Sequence, residues 1–185
     1  MYYDFELFLA RHCAPLFFGK KPAAVFAQKC LPQNCAWAKL FAQGFLIQRL
    51  YWRQQNMLVL IYHPQLLNAV LLHKKAQERL KLMGYPVECG QKALLKHLQR
   101  RFSESEEFPH EVGFFLGYPP DDVIGFMDCK ENYKICGKWK VYGDAEQAAM
   151  LFNEYDKCSY TLLTHIKNGG TIFTEALPEL ANNII

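Results

Sequence analysis

The chain has 185 residues, of which 51% are hydrophobic and 15% aromatic, and its formal net charge is +3. This composition excludes intrinsic disorder, which requires low hydrophobicity and high charge, and the length fits one domain, with two as the alternative. No apolar run approaches the roughly 20 residues that cross a bilayer, and Asp4 and Glu6 stand where a signal peptide would carry basic residues. We therefore expect a cytoplasmic protein without a membrane partner.

The charges are distributed unevenly. Residues 1–102 hold 15 Lys and Arg against 4 Asp and Glu, a balance of +11, and residues 103–185 hold 6 against 14, a balance of −8. Such asymmetry would suit an anionic ligand or a partner protein, or it would arise because the two halves face each other or because the charges are solvated. The basic stretch 74–101 lacks the aromatic interleaving of a base-stacking surface, so nucleic acid is not an expected partner.

The cysteines predict reduced thiols. Their number is odd and no export signal accompanies them, which argues against a disulfide framework. None forms a CxxC pair, so spacing gives no support to a closed zinc site. They are Cys13, Cys30, Cys35, Cys89, Cys129, Cys136 and Cys158.

Three elements are predicted before residue 46. Residues 4–18 have an apolar helical face that Pro15 bends or ends, and residues 23–27 form a short apolar run that fits a buried strand. Residues 35–45 return to helical spacing, with Gly44 near the end.

The next segment, about 47–62, has the pattern of a β-hairpin. Alternation over 47–53 is followed by two glutamines, by Asn56 and by the continuously apolar run 57–62. Asn56 suits a left-handed turn position. Because a hairpin is antiparallel, the sheet must contain at least one antiparallel pair.

Two helical regions follow, over 64–83 and 90–102, with Gly84 after the first. The acidic segment 103–107 is predicted to be a hinge inside a single domain over 1–185, because it is too short and too charged for a flexible linker.

The acidic half is predicted to begin with a strand over 112–116. A Gly- and Pro-rich turn over 117–120 follows, and Asp121 or Asp122 is expected to cap a short helix that ends at Phe126.

The last elements are a strand over 139–142 and a long helix over 145–167. Asp144 is the expected N-cap of this helix, with Gln147 at the capping-box position, and residues 171–180 would form a final short helix. The element order predicts an α/β or α+β fold, with one mixed sheet that contains the hairpin and is flanked by helices.

Three dense blocks of sequence stand out. They are HCAP at 12–15 with KPA at 21–23, FPHEVGFFLGYP at 108–119 with DVIGF at 122–126, and CGKWKVYGD at 136–144. Over nearly the whole chain, the combination resembles a bacterial family known as domain of unknown function 3793, common in anaerobic Firmicutes. The resemblance implies no reaction, because the family carries no established activity.

One candidate site is a nucleophile at Cys13. A nearby imidazolium would lower the pKa of the thiol and favour the reactive thiolate. His12 points about 100° away from Cys13 on a helix, which makes His110 the better base. The alternative is that Cys13 is a small core residue and His110 a hydrogen-bonded histidine.

A metal or haem site is the second candidate. Imidazole and thiolate together suit zinc or iron, although the chain contains neither HExxH nor CxxCH. The candidate ligands are His12, Cys13, His110, Cys129 and Cys136.

The predicted strand over 139–142 and its approach supply the third candidate. Lys138, Lys140 and Tyr142 would share one face, with Trp139 on the other. An anion or a nucleotide phosphate would sit against the lysines, with Tyr142 stacking or hydrogen bonding. The alternative is an edge strand whose lysines prevent aggregation.

These candidates lead to one functional hypothesis and two rivals. No GxGxxG, Walker A or GxSxG motif is present, so the standard dinucleotide, nucleotide triphosphate and hydrolase sites are excluded. We expect a protein that binds a small molecule or a redox or metal cofactor, of a kind the sequence does not specify, where the helix carrying Cys13 meets the other two blocks. The rivals are an enzyme using Cys13 with His110, and an adaptor that docks a partner protein through its charge asymmetry. The expected binding residues are His12, His110, Lys138, Trp139, Lys140 and Tyr142.

Overall fold

A three-stranded antiparallel sheet organises the structure, a computed structural model that describes residues 2–28, 36–53 and 56–174. Its strands are β1 (Ala23–Gln28), β2 (Leu46–Arg53) and β3 (Asn56–Tyr62), in the order β1-β3-β2. The predicted hairpin is confirmed. Arg53 pairs with Asn56, so Asn56 begins β3, and the two glutamines expected to precede it in the turn lie outside the described residues.

Helices flank this sheet, which makes the fold α+β. In chain order they are α1 (Tyr2–Phe17), α2 (Ala36–Ala42), α3 (Pro64–Leu71), α4 (Lys74–Leu82), α5 (Gly90–Glu104), α6 (Val112–Phe115), α7 (Pro120–Asp128) and α8 (Ala145–Lys167). A second antiparallel hairpin, β4 (Ile135–Cys136) with β5 (Lys140–Val141), lies between α7 and α8. Throughout the described part of the chain, no helix combines the length and the hydropathy needed to cross a membrane.

Strand β3 separates two hydrophobic cores. Its odd-numbered residues from 57 to 61 pack with α1 and α8, and its even-numbered residues from 58 to 62 pack with α3, α4 and α5. Every side chain from Met57 to Tyr62 is at most 9% exposed. Burial on both faces explains why this strand is continuously apolar, whereas a strand with one solvated face would alternate.

The N-terminus of α8 confirms the expected cap. Asp144 Oδ1 accepts hydrogen bonds from the backbone N–H groups of Glu146 and Gln147, both at 3.0 Å. These bonds satisfy two donors that a helix start leaves free. Further along, α8 places Cys158, Leu162 and other apolar residues in the core that it shares with α1.

The strand expected over 112–116 is wrong, because this segment forms α6. All four of its residues, Val112 to Phe115, are buried. A short helix that is buried all round and a buried strand have the same uninterrupted apolar pattern, which periodicity does not separate. The paired strands are accordingly antiparallel throughout, and the sheet is not mixed.

The single helix expected over 64–83 is two helices that meet at His73, which is extended at φ −62° and ψ 126°. The first buries Leu67 and Leu71, and the second buries Ala76 and Leu80. A continuous helix would not keep all four on one face, since the step from 71 to 76 exceeds the helical repeat. The break therefore turns the second apolar stripe back to the core.

The predicted cap of α7 is also wrong. Pro119 occupies the N-cap position, and Asp122 is a buried residue of the helix itself. The region expected to be helical over 171–180 is described only to residue 174, where it is turn or irregular, and the remainder lies outside the described residues.

Among the described residues, four ion pairs join the basic first part of the chain to the acidic second part. Ion pairs that join the first 102 residues to the rest are Lys20–Glu154 at 2.8 Å, Lys75–Asp121 at 2.6 Å, Arg79–Asp128 and Arg101–Glu111 at 2.9 Å. Part of the charge asymmetry is therefore internal complementarity, which weakens the argument for an adaptor.

Glu111 is the most buried of these charges, at 2% exposed. Its Oε1 accepts hydrogen bonds from Tyr85 Oη at 3.0 Å and from Arg101 Nε at 2.9 Å. Burial and the Glu111 carboxylate raise the pKa of Tyr85, so the phenol remains a donor. The cluster ties α5 to the segment that leads into α6.

We predict that Glu111→Ala lowers the free energy of unfolding by about 2–4 kcal/mol, because it leaves the buried Tyr85 hydroxyl and Arg101 without an acceptor. Urea denaturation measures the change. The control is Glu104→Ala, which removes an exposed partner 3.8 Å from Arg100 and should cost less than about 0.5 kcal/mol. Equal losses in the two variants would contradict a structural role for Glu111.

Candidate functional site

A cavity of about 270 Å³ lies between strand β1, helices α6 and α7 and the β4–β5 hairpin. We call it the aromatic cavity. Most of its walls are aromatic or aliphatic, and His110, Asp122 and Lys140 are its ionisable groups besides Tyr118. Its lining residues are Val25, Phe108, His110, Val112, Gly113, Leu116, Tyr118, Asp122, Val123, Phe126, Trp139 and Lys140.

Asp122 holds one wall of the cavity in place. The residue is 2% exposed, and its Oδ2 accepts a hydrogen bond from Trp139 Nε1 at 2.7 Å. Its Oδ1 accepts hydrogen bonds from the backbone N–H groups of Tyr142 at 2.8 Å and Gly143 at 2.7 Å. Asp122 thus fixes the end of the hairpin and the approach to α8 against α7, and its oxygens already have partners.

Trp139 is held by its ring as well as by its nitrogen. The indole stacks on Tyr118, with centroids 4.6 Å apart and planes at 24°. It also contacts Phe152 of α8 edge-on, with ring centroids 4.5 Å apart and planes at 79°. Aromatic pairs in these geometries add to the stability that burial gives. Contacts within the protein therefore hold this wall of the cavity in place.

His110 lies in the segment before α6. Its ring centroid is 4.7 Å from that of Phe126 and 5.7 Å from that of Phe108. Burial, followed by the positive charge of Lys130, lowers the pKa of His110, so its imidazole is neutral near pH 7. Within the described residues, the backbone N–H of Gly113 donates to the His110 carbonyl, but the His110 ring nitrogens make no hydrogen bond. Its ring nitrogens are therefore available to a ligand.

The two lysines of the predicted anion-binding face already have partners. Lys140 lines the cavity, but its Nζ donates to the Lys130 carbonyl at 3.0 Å and lies 4.5 Å from the Tyr133 ring centroid. Lys138 Nζ donates to Asp156 at 2.5 Å. The geometry thus favours a structural role for these lysines over phosphate binding.

Tyr142 lies outside the lining of the cavity. Its ring packs on Gly125 so closely that a Cβ there would lie 2.4 Å from its Cγ atom. Its hydroxyl donates to the Lys130 carbonyl at 3.0 Å. These contacts make Tyr142 a packing residue of α7 and the hairpin.

His12 and Cys13 do not line the aromatic cavity. Cys13 is 0% exposed in the core between α1 and α8, and burial raises the pKa of its thiol far above the ordinary range. His12 packs against Phe8, with ring centroids 4.5 Å apart. A neutral thiol without access to solvent is a poor nucleophile, so the geometry favours Cys13 as a core residue.

No metal centre emerges from the candidate ligands. Across residues 2–28, 36–53 and 56–174, no three His, Cys, Asp or Glu side chains are arranged to hold an ion. Cys129 and Cys136 are exposed, whereas Cys13 is buried.

The KPA segment of the first sequence block contacts the GYP segment of the second, which the sequence analysis did not predict. Lys21 Nζ lies 4.8 Å from the ring centroid of Tyr118 and 5.9 Å from that of Tyr155. The turn after α6 also packs on Pro22, whose Cδ lies 2.5 Å from the position that a Cβ on Gly117 would take. The KPA and GYP segments were visible signals, but nothing local indicated that they touch.

The aromatic residues at the cavity, Phe108 and Phe126, were also missed as site residues. Phe108 is the first residue of the 108–119 segment and Phe126 the last of the 122–126 segment, so membership of that sequence block was the available signal. Phe108 is 48% exposed, which places an aromatic ring at the rim.

We predict that Asp122→Ala lowers the free energy of unfolding by about 3–5 kcal/mol, because it leaves three N–H donors without their acceptor. Urea denaturation followed by tryptophan fluorescence measures the loss. Asp121→Ala is the matched control, since Asp121 makes an exposed ion pair with Lys75 and should contribute less than about 1 kcal/mol. A similar loss in both variants would refute the anchoring role.

The burial of Cys13 predicts its reactivity. Alkylation of the native protein, followed by peptide mapping, should modify the exposed Cys89, Cys129 and Cys136 and spare Cys13 and Cys158 until the chain unfolds. Native modification of Cys13 at the rate of Cys89 would restore the nucleophile hypothesis.

Comparisons with known proteins identify a family. The family described as "Protein of unknown function (DUF3793)" matches residues 9–174. No curated protein and no solved structure matches the chain. The match includes all three sequence blocks, and the chain belongs to this family.

Proposed function

We propose that the protein binds a small, planar, uncharged organic molecule in the aromatic cavity, with His110 as the hydrogen-bonding group. The observation that carries the proposal is an apolar, aromatic cavity lined by one neutral imidazole whose ring nitrogens have no hydrogen-bond partner among the described residues. Concave apolar sites with few convergent polar groups are the usual form of small-molecule sites.

The size of the cavity limits the ligand. Its volume of about 270 Å³ lies near the lower end of the range for ligand pockets, which begins at about 300 Å³. A molecule of one or two rings fits such a space better than a flavin, a haem or a dinucleotide. The hydrogen bond and the ring contacts of Trp139 oppose enlargement of the cavity.

The polar groups indicate the charge of the ligand. Asp122 already accepts three hydrogen bonds, and Lys140 already donates to the Lys130 carbonyl and lies 4.5 Å from the Tyr133 ring centroid, so neither charged group of the lining is without a contact. A buried charge without a partner is strongly unfavourable. Neutral His110 offers one donor and one acceptor, which suits an uncharged heteroaromatic molecule.

The lining also favours binding over catalysis. None of the residues that line the cavity is Ser, Thr or Cys, and Cys13 lies in the other core. The common hydroxyl and thiol nucleophiles are therefore missing beside His110. We accordingly treat His110 as a binding group and not as a general base.

The test is a screen of uncharged one- and two-ring heteroaromatic compounds against ¹⁵N-labelled protein. Binders should shift the indole N–H signal of Trp139 in a saturable manner. Val25→Phe places a ring in the cavity and should weaken binding roughly tenfold or more, since the ligand and the new side chain compete for one volume.

The control is the same substitution at Val70, which is half-buried in α3 and does not line the cavity. Val70→Phe should leave affinity within about twofold of the parent protein. The proposal fails if no compound shifts Trp139, or if Val25→Phe binds as tightly as the parent.

A further inference from the structure

Helix α5 exposes a row of positive charges. Lys92, Lys96 and Arg100, which we call the cationic stripe, are all exposed and follow one another at steps of four residues. Such residues share one face of a helix and lie about 6 Å apart along it. Among the described residues, neither lysine forms an ion pair, and that of Arg100 is a long contact of 3.8 Å with Glu104.

The C-terminal end of α5 is acidic instead. Glu104 is its last residue, and Glu106 and Glu107 follow directly after Ser105, the C-cap. We call these three exposed glutamates the acidic end. Within the described part of the chain, Glu106 and Glu107 form no ion pair. The exposed surface of α5 therefore changes sign along its length.

This order of charges does not suit an isolated helix. The helix dipole favours acidic residues in the first turn and basic residues in the last. Helix α5 has no acidic residue in its first turn, where Lys92 lies, and it ends at Glu104. An antiparallel copy of the same helix would bring an acidic end beside each cationic stripe, and the two dipoles would then oppose each other.

We propose that two copies of the chain associate through α5, packed antiparallel about a two-fold axis. In such an interface the same surface serves both copies, so the cationic stripe of each meets the acidic end of the other. Pairing Lys96 with Glu107 and Arg100 with Glu104 gives nearly the same midpoint, which places the axis level with residue 102. The association does not depend on the ligand of the aromatic cavity.

A groove and an exposed ring supply an apolar contact for this interface. The groove has a volume of about 510 Å³, and its lining includes Pro86 and Ala93 together with two cations of the stripe. Phe108 follows the acidic end and is 48% exposed, and its ring packs edge-on against Phe102 with centroids 5.2 Å apart. In the proposed register, Phe108 of one copy lies opposite the groove of the other.

The first test is sedimentation equilibrium of the full chain from micromolar to near-millimolar concentration. One helix with a groove is a small interface, so we expect a weak monomer–dimer equilibrium. Raising NaCl from about 0.1 M to about 1 M shortens the Debye length from about 10 Å to about 3 Å, and should raise the dissociation constant roughly tenfold or more. A monomer throughout at low salt, or a dimer indifferent to salt, overturns the proposal.

Charge reversal tests which surface is used. The first variant carries Lys92→Glu with Lys96→Glu, and the second carries Glu106→Lys with Glu107→Lys. Each should be monomeric alone, because like charges would face each other, whereas an equimolar mixture should form a dimer of one copy of each. Recovery in the mixture also shows that both variants fold.

The control for charge reversal is Lys157→Glu with Lys167→Glu, two exposed positions on α8 that change the net charge by the same amount as the first variant. It should associate within about twofold of the parent protein. The proposal fails if either reversed variant dimerises as the parent does, or if the two folded variants do not associate when mixed.

Cross-linking of the parent protein maps the register without any substitution. A zero-length carbodiimide is applied to a mixture of ¹⁵N-labelled and unlabelled chains, and peptides that join differently labelled chains are identified. The expected links join lysines of the cationic stripe to glutamates of the acidic end. Links between chains that fall only at other residues would contradict the proposed interface.

Discussion

The hydrogen bonds to the buried carboxylate of Asp122 are the interaction on which the candidate site depends. A carboxylate at 2% exposure is tolerated because it receives three N–H donors from the segment between β5 and α8 and from Trp139. The hairpin contains only two short strands, so it has little stability of its own. Asp122 and the aromatic contacts of Trp139 therefore position it, and with it one wall of the aromatic cavity.

Much of the fold was predictable because its signals are local. The 47–62 hairpin, the buried strand at 23–27 and the Asp144 cap each depend on residues adjacent in sequence. Helix α6 was not predictable, since its apolar run carries no period that distinguishes it from a strand. Asp122 was predicted to be a helix cap because an acidic residue after two prolines is typical of one. Its observed role as an acceptor was not predictable, since its partner Trp139 lies 17 residues away.

The candidate site was predicted only in part. His110, Trp139 and Lys140 come together at one cavity, but Cys13 turns into the core between α1 and α8. The residue types indicated reactive groups. Whether those on α1 reach the cavity depends on the direction of each side chain, which the sequence does not give. The environment of Lys21 was not predictable, because its rings come from the turn after α6 and from α8, which no property of its own segment reveals.

The hydrogen exchange rate of the Trp139 indole N–H tests the anchoring of the site most directly, because that proton is donated to Asp122. NMR in D₂O follows its signal in the native protein. If the wall is rigid, the proton exchanges only through global unfolding, and its rate rises with denaturant in parallel with the most protected core amides. Exchange as fast as that of a solvent-exposed indole would show that the hairpin opens freely and that no preformed cavity exists.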